Sequence, residues 1–138
     1  MMNTVRKHTD NPWLIVYIQR WLGASIQIPN KEFVMRTKGT PQGGVISPVL
    51  ANLFLHYTFD KWMEKHHPGK PFARYADDAV AHCHSKKAAE QLKSELEYRR
   101  REFDLELHPV KTHVMYCKDA NRILTYSEIT FDFLGYTF

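Results

Sequence analysis

Apolar residues recur at helical spacing in three stretches of the chain, and this pattern predicts three helices. The first begins at Asp10-Asn11-Pro12, where a capping residue precedes a proline of the first turn, and ends near Gly23. The second begins at Ser47-Pro48, with Ser47 expected as its cap, and runs to about Lys65. The third begins at Ser85, and its apolar stripe consists of Ala89, Leu92, Leu96 and Phe103. We expect each helix to bury the face that carries this stripe.

Shorter apolar stretches bounded by turn residues predict strands between and after these helices. A pair of strands is expected within 25–38, and a hairpin from 72–76 and 79–83. Two further strands are expected at 112–117 and 130–138. This order of elements predicts an α+β fold, in which an antiparallel sheet packs against helices.

Composition narrows the class of protein without deciding it. The chain has 138 residues, enough for one domain, with 43% hydrophobic and 25% charged residues, as in globular proteins. No apolar run approaches a membrane span and the N-terminus lacks the apolar core of a signal peptide, so we expect a cytoplasmic protein that does not enter a membrane. The net charge of +4 favours a polyanionic partner only weakly, since a mildly basic surface can have no partner at all.

The predicted hairpin has two adjacent carboxylates, Asp77 and Asp78, at its expected tip. Neighbouring like charges repel each other unless a cation lies close to both. Exposed carboxylates suit hard cations such as Mg²⁺, which prefer oxygen ligands and often bridge to phosphates of a substrate. An ordinary turn is the alternative interpretation of this pair taken alone.

Two other segments carry candidate chemistry. The loop at 39–44 is rich in glycine, but Val45 stands where a nucleotide-hydrolase phosphate loop needs its lysine. Its bare backbone precedes a helix and could approach a phosphate or a base, or simply form a turn. The other is the segment 107–112, in which Lys111 taken alone is interpreted as a surface charge beside a strand.

The order of four motifs resembles that of reverse transcriptases. Tyr75-Ala76-Asp77-Asp78 resembles their metal-binding motif, and the stretch 39–48 resembles the block that precedes it. Taken together, the sequences of 39–48 and 50–56 are similar to those of the group II intron branch and its bacterial relatives, which include maturases. The stretches 105–112 and 133–136 resemble the two later palm blocks, so the resemblance covers essentially the whole chain.

This resemblance implies a right-hand polymerase palm that synthesises DNA on an RNA template from deoxynucleoside triphosphates. It implies Mg²⁺ as cofactor, with Mn²⁺ as a substitute. Asp77 and Asp78 would bind the ion, and the resemblance assigns Asp77 as a ligand more firmly than Asp78. It also implies that Lys111 protonates the departing pyrophosphate. The expected partners are an RNA template, a DNA primer and, for an intron-encoded enzyme, the intron RNA.

The resemblance also implies which residues bind the nucleic acid. Pro41, Gln42 and Gly43 would lie beside the incoming nucleotide and the template, and Leu134 and Gly135 would support the primer.

The family's third aspartate, on a strand upstream of the glycine block, has no counterpart in the sequence. Asp10 is the only aspartate before Gly39, and it stands at a helix start. We therefore expect residues 1–138 to form a single domain, the C-terminal part of a palm without fingers, first aspartate strand or thumb. Little or no polymerase activity is expected of this chain alone.

Two alternatives stay open: a non-catalytic RNA-binding remnant of a palm, and an interaction domain with no role on nucleic acid. The sequence does not distinguish a maturase from a retron enzyme or another bacterial reverse transcriptase.

Overall fold

The structure is a computed structural model of the chain, and it describes residues 1–27, 33–34, 39, 43–117 and 129–138. Helices and small antiparallel sheets alternate along these residues. The predicted α+β class is therefore confirmed. No helix in this part of the chain is long and apolar enough to cross a membrane.

The helices predicted from the sequence are all present. A short helix, α1, precedes them, and the second predicted helix consists of three consecutive segments whose middle one is a π-helical turn. The bounds are α1 Met2–Val5, α2 Pro12–Gly23, α3 Ser47–Leu55, the π-helical turn His56–Asp60, α4 Lys61–His66 and α5 Lys86–Arg101.

Side-chain caps fix the start of two of these helices. The Oδ1 atom of Asn11 accepts hydrogen bonds from the main-chain N–H groups of Trp13 and Leu14, at 3.0 and 3.3 Å. The Oγ atom of Ser85 accepts one from Ala88, at 3.2 Å. Ser47, predicted as a cap, is instead the first residue of α3 and is buried. This prediction was wrong: the N-cap position is Ile46, and the N–H of Ser47 donates to the carbonyl of Gly44 at 3.0 Å.

The described strands form three antiparallel pairs, each a separate two-stranded sheet. The pairs are β1 Ile26–Gln27 with β2 Phe33–Val34, β3 Phe72–Tyr75 with β4 Asp78–Ala81, and β5 Asp132–Phe133 with β6 Tyr136–Thr137. Only the second pair is as long as four residues on each side. The β3–β4 hairpin is thus the most extended strand pairing in the described residues.

Two predicted strands are corrected by the structure. The single strand expected at 130–138 is a hairpin, because Leu134 and Gly135 both have positive φ and reverse the chain direction. The segment 112–117 has no strand conformation. There the carbonyl of Thr112 accepts a hydrogen bond from Lys93 Nζ of α5 at 3.0 Å.

The described residues divide into two compact units, Met1–Lys61 and Trp62–Phe138. In the first unit, three buried residues from α1, α2 and α3 form the core: Val5, Ile18 and Leu50. In the second unit, Met63 of α4 is completely buried and Leu92 of α5 is 4% exposed. Apolar stripes on short helices thus supply the core of each unit, as expected from their spacing.

Candidate active site

The two acidic residues lie at the tip of the β3–β4 hairpin, one step away from the predicted arrangement. Tyr75 pairs with Asp78, so the two-residue loop consists of Ala76 and Asp77. The prediction of a loop made of Asp77 and Asp78 was wrong. Both registers place the same side chains on each face of the hairpin, and apolar alternation therefore cannot distinguish them. Asp77 occupies the turn, and Asp78 is the first residue of β4.

The conformation of Ala76 explains which residues form the loop. Its φ is +51°, in the left-handed region. Two-residue hairpins favour turns that begin with positive φ, because their twist matches that of the flanking strands. For an L-residue other than glycine, this conformation costs about 1–2 kcal/mol. The tip that presents the acids is therefore locally strained.

Both carboxylates are accessible from solvent. Asp77 and Asp78 are exposed, and the neighbouring Tyr75 has 65% of its surface exposed. Across the described part of the chain, no group of three His, Cys, Asp or Glu residues is arranged to hold a metal ion. The hairpin thus supplies two adjacent oxygen-donor groups.

Two arginines lie near the acidic tip, and sequence reasoning missed both. Arg74 Nη1 donates a hydrogen bond to the carbonyl of Ala76, at 2.7 Å. Burial lowers the pKa of Arg100 on α5 below its ordinary value, while the negative charge of Asp77 acts to raise it. Arginine keeps its proton in proteins, so both of these side chains carry positive charge.

Arg74 could have been found from the sequence by its position two residues before the turn. Arg100 could not, because only the packing of α5 brings it near Asp77.

Lys111 lies on a compact turn that follows α5 in the chain. The Nδ1 atom of His108 accepts hydrogen bonds from the main-chain N–H groups of Val110 and Lys111, both at 3.3 Å. The N–H of Thr112 donates to the carbonyl of His108, at 3.0 Å. Lys111 itself is exposed. The main chain of this lysine is thus held in a defined turn, in the same unit as the acidic tip.

Leu134 and Gly135 form the tip of the β5–β6 hairpin, with φ of +54° and +79°. At its base, Phe131 and Phe138 bond each other through main-chain N–H and C=O groups, and their rings stack at 5.3 Å. Leu134 is 48% exposed at the tip. The two predicted primer-contacting residues are therefore adjacent on an accessible turn.

Gly43 lies in the other unit, ahead of α3, and is exposed with φ of +82°. A Cβ added there would meet no atom within 4 Å, so its backbone conformation, rather than space, favours glycine. Pro41 and Gln42, the other predicted nucleotide-binding residues, lie outside the described residues.

Comparison with known families gives a match that covers nearly the whole chain. A model of the family described as "Reverse transcriptase (RNA-dependent DNA polymerase)" matches residues 2–138. The chain belongs to this family. No curated protein and no solved structure matched it.

Membership of the reverse transcriptase family assigns RNA-directed DNA polymerase chemistry at the level of the family, with RNA as template and nucleotides as substrates. Such enzymes generally depend on divalent metal ions, typically Mg²⁺. The acidic hairpin tip fits this requirement, because Mg²⁺ in proteins is commonly bound by one or two carboxylates together with waters and substrate phosphates. Two adjacent, exposed carboxylates such as those of Asp77 and Asp78 are thus chemically compatible with such an ion.

Proposed function

We propose that this chain forms the catalytic palm region of a reverse transcriptase of the group II intron type, which extends a DNA primer along an RNA template. The exposed acid pair at the tip of the β3–β4 hairpin is the observation that carries this proposal. The group II assignment is supported by the amino-acid sequences of the segments 39–48 and 50–56.

In this proposal, Asp77 and Asp78 bind Mg²⁺, with Mn²⁺ as a substitute. Bound there, the ion would supply Lewis-acid stabilisation of the charge on the phosphoryl oxygens. The chain's own contribution is to present two carboxylates side by side at an accessible turn.

The remaining roles are assigned to residues around the reacting groups. Lys111 holds a proton that can pass to the departing pyrophosphate, which is reasonable for a flexible, exposed ammonium group. Pro41, Gln42 and Gly43 border the incoming nucleotide and the template. Leu134 and Gly135 support the primer from the β5–β6 turn.

We propose further that residues 1–138 alone synthesise little or no DNA, because this sequence offers the metal site two carboxylates where the family uses three. The same observation favours a second candidate function, a palm remnant that binds RNA without chemistry. The genomic sequence immediately 5′ of Met1 discriminates between them. An aspartate-bearing strand encoded there in the same frame supports the enzyme, and its absence supports the remnant.

Binding of Mn²⁺, followed by electron paramagnetic resonance, tests the assignment of the acid pair. We expect Asp77→Asn and Asp78→Asn each to weaken Mn²⁺ binding at least fivefold, because each removes one charged oxygen donor. Asp10→Asn is the matched control, since Asp10 is exposed and precedes α2. Unchanged Mn²⁺ affinity in both hairpin variants would refute the metal site.

Primer extension on poly(rA)/oligo(dT) tests the activity of the isolated chain. We expect at most traces of product from residues 1–138. Robust synthesis by this chain would show that two carboxylates of the hairpin suffice and would remove the case for a remnant.

A further inference from the structure

The hydrogen bond from Arg74 to Ala76 joins a strand residue to the turn that carries the acids. Its length is 2.7 Å, within the range of strong hydrogen bonds that involve a charged donor. The carbonyl of Ala76 belongs to the same peptide group as the N–H of Asp77. A bond to this carbonyl therefore restrains the peptide plane from which the Asp77 side chain starts.

This restraint acts next to Ala76, whose backbone conformation is strained. Ala76 has positive φ, and a strained conformation of this kind persists only when its surroundings hold it. The strand pair ends at Tyr75 and Asp78, so the ladder between the strands does not include Ala76 or Asp77. Among the described contacts, the Arg74 guanidinium is the side chain that bonds the main chain of this turn.

We propose that Arg74 is a positioning residue, which holds the Ala76–Asp77 peptide so that the Asp77 carboxylate is oriented for a divalent cation. This inference rests on the proposed function of the acid pair. Arg74 acts through the main chain, so its own side chain need not touch the ion or a substrate.

A purely electrostatic role for Arg74 makes the opposite predictions. If its charge alone mattered, Arg74→Lys would leave cation binding unchanged, and Arg74→Gln would strengthen it by removing a repelling charge. Positioning requires the planar guanidinium, which lysine cannot replace in reach or geometry. Under positioning, both substitutions therefore weaken binding.

A measurement without metal tests the restraint directly. ¹⁵N relaxation of the Asp77 amide should give an order parameter of about 0.85 in the wild type and below about 0.6 in Arg74→Lys and Arg74→Gln. Arg101→Gln, at an exposed arginine in the last turn of α5, is the control and should leave the value unchanged. Dispersed amide spectra establish that each variant is folded. An unchanged order parameter in both Arg74 variants would overturn the proposal.

Mn²⁺ titration of the same proteins gives the second readout. We expect Arg74→Lys and Arg74→Gln each to weaken binding at least threefold, while Arg101→Gln has no effect. Unchanged affinity in Arg74→Lys, or tighter binding in Arg74→Gln, would overturn positioning in favour of electrostatics. Loss of binding in Asp77→Asn with no effect of Arg74 would leave the metal site standing and refute only this inference. No effect of Asp77→Asn would refute the metal site itself.

Discussion

At the scale of single residues, positive φ marks the points where this chain reverses direction. In the described part, the non-glycine residues with this conformation are Ala76, Asp104 and Leu134. Two of them lie in hairpin turns, and Asp104 follows α5, where the N–H of Leu105 donates to the carbonyl of Arg100 at 2.9 Å. The residues proposed to meet the metal ion and the primer thus both lie on turns with backbone strain.

Replacement of Gly135 by alanine tests the conformation of the β5–β6 turn. We expect Gly135→Ala to destabilise the hairpin by about 1–2 kcal/mol, because the native φ of +79° is unfavourable for a residue with a Cβ. Hydrogen exchange of the Phe131 and Phe138 amides, which bond across the base of the hairpin, measures this effect. Exchange should accelerate by roughly 5- to 30-fold.

Gly69→Ala is the matched control for this prediction. Gly69 also has open space where a Cβ would lie, but its φ is not positive. Alanine there should leave the exchange of the two phenylalanine amides unchanged. Equal acceleration by both substitutions would mean that the conformation of Gly135 is not the cause.

At the scale of elements, a histidine joins the end of α4 to α5 within the second unit. His67 Nε2 lies 3.0 Å from Glu95 Oε2, and Lys70 Nζ lies 3.0 Å from His67 Nδ1. The ammonium group can only donate, so Nδ1 accepts and the proton of the neutral ring resides on Nε2, the ring nitrogen nearer to Glu95. The side chain is 8% exposed, and the ring of Trp62 packs edge-on at 4.7 Å.

This arrangement makes stability depend on pH. Burial, followed by the charge of Lys70, lowers the pKa of His67 below 6.5, although Glu95 opposes the shift and His66 adds to it. The unfolded chain therefore binds a proton more readily than the folded chain. The stabilising contribution of neutral His67 is fully present above about pH 6.5 and is lost as the pH falls through the lowered folded-state pKa.

Urea unfolding at pH 7.5, 6.5 and 5.5 measures this dependence. We expect the free energy of unfolding to fall between pH 6.5 and 5.5, and the His67→Gln variant to show a smaller fall. His84→Gln, at an exposed histidine, should retain the wild-type dependence. A fall of the same size in His67→Gln would assign the pH dependence to other groups.

The N-cap of α5 is a second determinant at this scale. We expect Ser85→Ala to destabilise the protein by about 1 kcal/mol, because the N–H of Ala88 loses its side-chain acceptor. Ser94→Ala, inside the same helix, removes only a hydroxyl that donates to the carbonyl of Glu90 and should be neutral or slightly stabilising. Thermal unfolding followed by circular dichroism measures both, and equal losses would contradict a capping role.

At the scale of the whole molecule, the net charge of +4 bears on the expected partner. Binding of a polyanion by basic residues releases counterions, so affinity falls as salt concentration rises. We expect the chain to bind a single-stranded RNA oligonucleotide and to lose at least about tenfold in affinity between 50 and 200 mM salt, as a few phosphate contacts would require. Fluorescence anisotropy measures this. RNA binding that is absent, or that does not depend on salt, would favour the interaction-domain alternative.

The sequence by itself determined the three longer helical stretches, the α+β class, the family and the place of the acid pair in the chain. Each of these depends on local signals, such as apolar spacing, a capping residue before a helix, or a short motif between two strands. Those signals arise among residues close in the chain, where backbone geometry limits the outcomes.

The tertiary structure decided the register of the acidic hairpin, the reversal of the chain at Leu134 and the absence of a strand at 112–117. Alternation along a strand does not change when the pairing shifts by two residues, so the turn conformation of Ala76 had to fix the register. The charge of Asp77 acts on Arg100, and His67 lies 3.0 Å from Glu95, although the members of each pair are far apart in the chain. Only packing brings such residues together, because no local preference specifies which distant side chain a residue will meet.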